Sequence, residues 1–155
     1  MSLDENVPAS EDEEFVDELK PGTPLMHGPY KIEGFLAAGG FGITYLAKDS
    51  LGRPIVIKEC FPGSFCRRQG ASVAPRSRAH QNELKSIVRL FSNEAKSLAK
   101  AKHPNIVGVH QIFEENNTAY MALDFVRGRD LLEIITEEPE TLTPDMIQEY
   151  LVKVL

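Results

Sequence analysis

The stretch Tyr30-Lys-Ile-Glu-Gly-Phe-Leu-Ala-Ala-Gly39-Gly40-Phe41-Gly42-Ile-Thr-Tyr-Leu-Ala-Lys48, followed after a turn by Ile55-Val-Ile-Lys58, decides the reading of the chain. β-branched and aromatic residues on both sides of the glycines suit strands. Asp49-Ser-Leu-Gly52 is a turn sequence. The pattern predicts two strands joined by a glycine-rich loop, then a third strand carrying one lysine. Glycines at 39, 40 and 42 can take positive φ and bring backbone N–H groups close to a ligand. A phosphate chain suits such donors, and Lys58 adds a cation from the neighbouring strand. A dinucleotide loop would open a helix, and the other common phosphate loop ends in Gly-Lys-Ser/Thr. Neither follows Gly42. By itself the stretch fits both a strand–loop–strand cover over phosphates and an ordinary hairpin with a glycine turn.

The 155 residues are enough for one domain with a core. A net charge of −6 argues against a nucleic-acid partner. No apolar run is long enough to span a membrane, and Met1-Ser-Leu-Asp-Glu has neither the basic nor the apolar part of a signal peptide. Two cysteines, Cys60 and Cys66, are too few for a disulfide framework or a four-ligand zinc site. The reading is a cytoplasmic chain with free thiols and no metal site of its own.

Residues 1–29 form an acidic tail and lead-in, with Asp4, Glu5, Glu11, Asp12, Glu13, Glu14, Asp17 and Glu18. That composition predicts disorder. After Lys58, residues at about 60–82 show no period and carry Arg67, Arg68, Arg76 and Arg78. They read as a solvated basic insertion, against which the acidic tail could lie. From about Gln81 to Lys102, Leu84, Ile87, Val88, Leu90, Phe91, Ala95 and Leu98 make one apolar helix face. Glu94 lies beside that face, where a carboxylate needs a partner; Lys58 is the candidate. His103-Pro104 is a turn, with His103 in a turn or capping role. Val107–Phe113 and Thr118–Phe125 read as a hairpin with Asn116-Asn117 at its tip. Asp130 is placed to cap a helix, and Thr143-Pro144 to start another.

Taken in order, Leu36–Tyr45, Val56-Ile-Lys58-Glu59, Asn93-Glu94-Ala95, His103-Pro-Asn-Ile-Val107 and Ala122–Gly128 resemble the amino-terminal lobe of a protein kinase, most closely the bacterial serine/threonine kinases. The resemblance covers about Tyr30 to Leu155. It implies an α+β fold: a five-stranded antiparallel sheet with one main helix over 30–126, then a hinge and the first helices of the large lobe over 127–155. It also implies roles. Gly39, Gly40, Phe41 and Gly42 would cover the phosphates. Leu36 and Val56 would line the nucleotide site, with Thr44 over the adenine. Lys58 would bind the α- and β-phosphates and be held by Glu94. Leu123 matches the gatekeeper, Asp124, Phe125 and Val126 the hinge, and Asp130 the acidic position near the ribose. The implied cofactors are ATP and magnesium, and the implied activity is transfer of the γ-phosphoryl group to protein hydroxyls.

Three departures qualify this. Ala37 stands where the first loop glycine is usual. About three dozen residues separate Lys58 from Glu94, more than the family norm, which marks an insertion. The catalytic loop and the magnesium-binding Asp-Phe-Gly are not in these 155 residues. The expectation is therefore a truncated kinase domain, inactive alone, whose parent is the enzyme. The alternative is a non-catalytic, kinase-like binding module. The apolar stripe Met146, Ile147, Tyr150, Leu151 and Val154 adds an expected self-association through residues 131–155.

Overall fold

The computed structural model describes residues 17–154. Six strands form one antiparallel sheet: β1 (Pro24–Leu25), β2 (Tyr30–Ala38), β3 (Gly42–Lys48), β4 (Pro54–Cys60), β7 (Val109–Glu115) and β8 (Thr118–Asp124), in the order β1-β2-β3-β4-β8-β7. Helix α1 (His80–Lys100) joins the β4 region to β7. The five expected strands are present, and the short β1 adds a sixth at the edge by pairing with Lys31 and Tyr30. The fold class is the α+β lobe that the sequence implies.

Alternation along the strands gives the sheet two working faces. Ile43, Tyr45 and Ala47 of β3 point the same way as Ile55, Ile57 and Glu59 of β4 and Tyr120 and Ala122 of β8, and all are buried. We call this the back face. Thr44, Lys58 and Met121 are register neighbours on the front face, as are Leu46, Val56 and Leu123. Helix α1 covers part of the front, where Phe91 and Ala95 pack with Cys60, Ala119 and Met121. Leu84 reaches round to the back-face core. Leu90, expected on the apolar face, is 67% exposed. It lies about 100° round the helix from Phe91, outside the buried arc.

The back face holds the main correction. Residues 60–82 are not a solvated loop. Two four-residue strands, β5 (Cys66–Gln69) and β6 (Ser72–Pro75), form a hairpin that buries Cys66 and Val73 in the core. The lead-in is also not all solvated: Leu19 and Leu25 are buried in the same cluster. The acidic residues from Asp4 to Glu14 lie outside the described residues. Where the lead-in meets the insertion, the contact is not charge against charge. Arg68 Nε donates to the backbone carbonyl of Asp17 at 2.8 Å.

The β7–β8 turn has Asn116 and Asn117 at φ of 53° and 59°, the left-handed pair that a two-residue hairpin needs and asparagine tolerates. Asp130 caps α2 (Leu131–Glu137) in a reciprocal capping box with Glu133. After a short 3-10 turn, Pro144 opens α3 (Pro144–Val154), and Thr143 Oγ1 accepts from Met146 N at 3.3 Å.

Candidate functional site

Front-face residues at one end of β3 and β4 bring the glycine loop and Lys58 together. Thr44 pairs with Lys58, and Gly42 with Cys60. A Cβ on Gly42 would stand 2.8 Å from the Glu59 carbonyl and 3.6 Å from Lys58 Cε. The Lys58 side chain therefore runs beneath the loop, and Gly42 serves as the place where two backbones meet closely. The loop closes on itself, with Gly39 N donating to the Gly42 carbonyl at 2.9 Å. Its glycines are not among those with positive φ. The loop uses glycine for close approach at Gly42 and for open space at Gly39 and Gly40, where nothing lies within 4 Å of an added Cβ. Phe41 at the tip is 66% exposed, and its carbonyl accepts from Phe61 N at 3.0 Å.

Leu36 sits in a β2 irregularity between Phe35 and Ala37 and is 47% exposed. Val56 and Leu123 are register partners, both half-buried. At the hinge, Asp124 is engaged. Its N–H donates to the Gly108 carbonyl, and its carboxylate accepts from Gly108 N and pairs with exposed His110. His110 escaped the sequence reading, and its alternation with Asp124 across two strands gave no local signal. Phe125 is half-buried; Val126 is 72% exposed, and its backbone has no internal hydrogen bond among the described residues. Asp130 spends one carboxylate oxygen on the Glu133 N–H. His103 closes its turn by accepting from Asn105 N at Nδ1, 3.1 Å.

Glu94 is not brought to this site. It is exposed on α1, and among the described residues no ion pair joins it to Lys58. In water it needs no compensating partner, so the cost expected of it does not arise.

Directly behind Lys58 lies a polar cluster. Glu59 is fully buried. Its Oε1 accepts from Arg68 Nη1 at 2.8 Å and from the Tyr120 hydroxyl at 2.9 Å. Its Oε2 accepts from Arg68 Nη2 at 2.6 Å and from the Tyr45 hydroxyl at 2.8 Å. This is the two-pronged fork that binds guanidinium to carboxylate most firmly. Burial alone would lower the Arg68 pKa, but Glu59 outweighs it and holds the guanidinium above its ordinary value. Burial first, then the Glu59 charge, pushes the Tyr45 and Tyr120 hydroxyls well up. One sequence signal could have exposed this cluster. Glu59 shares strand parity with Ile55 and Ile57, so an inward carboxylate there calls for a nearby cation.

Residues 30–155 match the protein kinase domain family. The chain belongs to that family. It is 32% identical over 110 residues to serine/threonine-protein kinase PrkC of Bacillus subtilis, covering 70% of this chain and 14% of PrkC. It is 30% identical over 138 residues to the probable serine/threonine-protein kinase YbdM of the same organism, covering 88% and 47%. Among solved structures, the apo form of PpkA-294 superposes with a TM-score of 0.81 at 32% identity, over 86% of this chain and 48% of that one. The chain thus spans about half or less of the length of these relatives.

Proposed function

We propose that this lobe binds ATP between the glycine loop and the hinge, and that the whole protein transfers the γ-phosphoryl group to serine or threonine hydroxyls of a protein substrate. The observation that carries the reading is the placement of Lys58 beneath Gly42, on the same sheet face as Thr44, Val56 and Leu123. The residues fit the cofactor. The Val126 backbone has donor and acceptor capacity for an adenine edge, Leu36, Val56 and Leu123 offer apolar contact, and Lys58 offers a cation for the phosphates. ATP bound with magnesium supplies the transferable phosphoryl group; among the described residues no cluster of His, Cys, Asp and Glu could hold the metal. The family's catalytic-base and magnesium-binding motifs are not among these 155 residues.

Half a cleft without its metal site should bind ATP with a Kd of about 0.1–1 mM, or −4 to −5.5 kcal/mol. Calorimetry on the chain and on Lys58→Met tests this. The expected outcome is millimolar-range binding weakened by the substitution. Binding unaffected by the substitution would overturn the reading, and micromolar binding would contradict the expected affinity. The chain alone should transfer no phosphate above background from labelled ATP. A second reading, a kinase-like module that binds without catalysis, is favoured by the missing Lys58–Glu94 ion pair. A whole protein that phosphorylates nothing in a Lys58-dependent way would select it.

A further inference from the structure

Lys58 and Glu59 are neighbours on β4, with side chains on opposite faces. On the front, among the described residues, no carboxylate pairs with Lys58. On the back, Glu59 is gripped by β3 through Tyr45, by β8 through Tyr120 and by the inserted hairpin through Arg68. Arg68 is itself fixed. Nε donates to the Asp17 carbonyl at 2.8 Å and Nη1 to the Ala71 carbonyl at 3.1 Å. Its guanidinium lies 4.7 Å over the Phe61 ring. Phe61 N in turn holds the carbonyl of Phe41, the tip of the glycine loop. One side chain from the insertion therefore backs both halves of the phosphate site: Lys58 through Glu59, and the loop tip through Phe61.

Stability alone does not call for such a pair. A buried ion pair can often be replaced by apolar residues at no loss, whereas a fork with saturated hydrogen bonds fixes geometry. We infer that Arg68 is a positioning residue that sets Lys58 against the glycine loop for the phosphates of ATP, so that the insertion is a brace on the back of the nucleotide site. This rests on the ATP-binding reading above.

The test uses the double variant Glu59→Gln/Arg68→Met, which leaves no buried charge, whereas Arg68→Met alone strands the Glu59 carboxylate. Val73→Ala, at the cross-strand partner of Arg68 but with the Glu59–Arg68 pair itself intact, is the destabilised control. Affinities for ATP and for adenosine are measured by ligand-observed NMR, together with the backbone amide resonances of Lys58 and Gly42. The double variant should weaken ATP by about five- to tenfold, leave adenosine unchanged and shift both amides. Val73→Ala should change neither affinity, whatever its loss of melting temperature. Equal weakening of ATP and adenosine, or unchanged ATP affinity, would overturn the inference. If the unmodified chain bound ATP no better than Lys58→Met, the ATP reading itself would fail. The amides would then decide: a shift at Lys58 and Gly42 supports the brace, and unmoved resonances end it.

Discussion

Gly40 and Gly42 stand two positions apart in one loop and differ in what they can tolerate. Nothing lies within 4 Å of a Cβ placed on Gly40, whereas one on Gly42 meets the Glu59 carbonyl at 2.8 Å. Backbone must move to admit it. Gly42→Ala should cost about 1–3 kcal/mol, the range for overpacking, and Gly40→Ala should stay within about 0.5 kcal/mol; thermal unfolding of the two variants distinguishes them. The buried fork is more sensitive. Arg68→Met strands the Glu59 carboxylate and should cost about 3–5 kcal/mol in urea unfolding. The thiols give a pH signature. Burial pushes Cys60 from 9.0 up to about 11 and Cys66 up to about 12. Both are raised in the folded state, so their contribution is complete below about pH 9 and is lost as pH climbs through the folded values. For Cys60 alone the loss is on the order of 2 kcal/mol at pH 11. Tyr45 and Tyr120, also raised, act in the same direction above their ordinary range. Urea midpoints should fall from pH 9 to 11, with a smaller fall in Cys60→Ala. A midpoint constant over that range would contradict the burial of these groups.

Among elements, α1 offers the sharpest contrast between neighbours. Phe91 packs in the front-face cluster, while Leu90 is 67% exposed. Phe91→Ala should cost about 3 kcal/mol and Leu90→Gln less than about 0.5 kcal/mol, read from denaturant midpoints. The same helix shows what the sequence made legible. Leu84, Phe91 and Ala95 recur at the helical period and declare a buried face, and Asp130 and Pro144 mark helix starts by their capping chemistry. The sheet strands declare themselves by alternation. Hairpin β5–β6 does not. Its strands are four residues long and carry Cys66 and Val73 as their buried apolar residues. What draws Arg68 inward is Glu59, on a different strand, and pairing across the fold leaves no period behind. The candidate site was legible where a motif is continuous, as at Gly39–Gly42 and Lys58. The separation of Glu94 from Lys58 depends on where α1 docks, which local sequence does not specify.

At the scale of the whole molecule, the stretch from Leu131 to Val154 has no buried residue. Leu132, Val152 and Val154 are more than 70% exposed, and Leu131, Ile135 and Leu151 at least 50%. Each large apolar side chain withdrawn from water contributes about 1.5–3 kcal/mol, so a handful can offset the entropy lost on pairing. We expect the chain by itself to self-associate through this surface in sedimentation at several concentrations, with Leu151→Asp restoring the monomer. A monomer at high concentration, or an assembly indifferent to Leu151→Asp, would rule it out. The hairpin has a different consequence, one of descent and engineering. Removing residues 63–76 would leave one carboxylate and two tyrosine hydroxyls in the interior without their cation. The extra segment and the positions 45, 59 and 120 beneath it form a single heritable unit. A lineage, or a protein engineer, can trade that unit whole for an apolar one, but a clean excision of the loop alone leads through an unfolded intermediate.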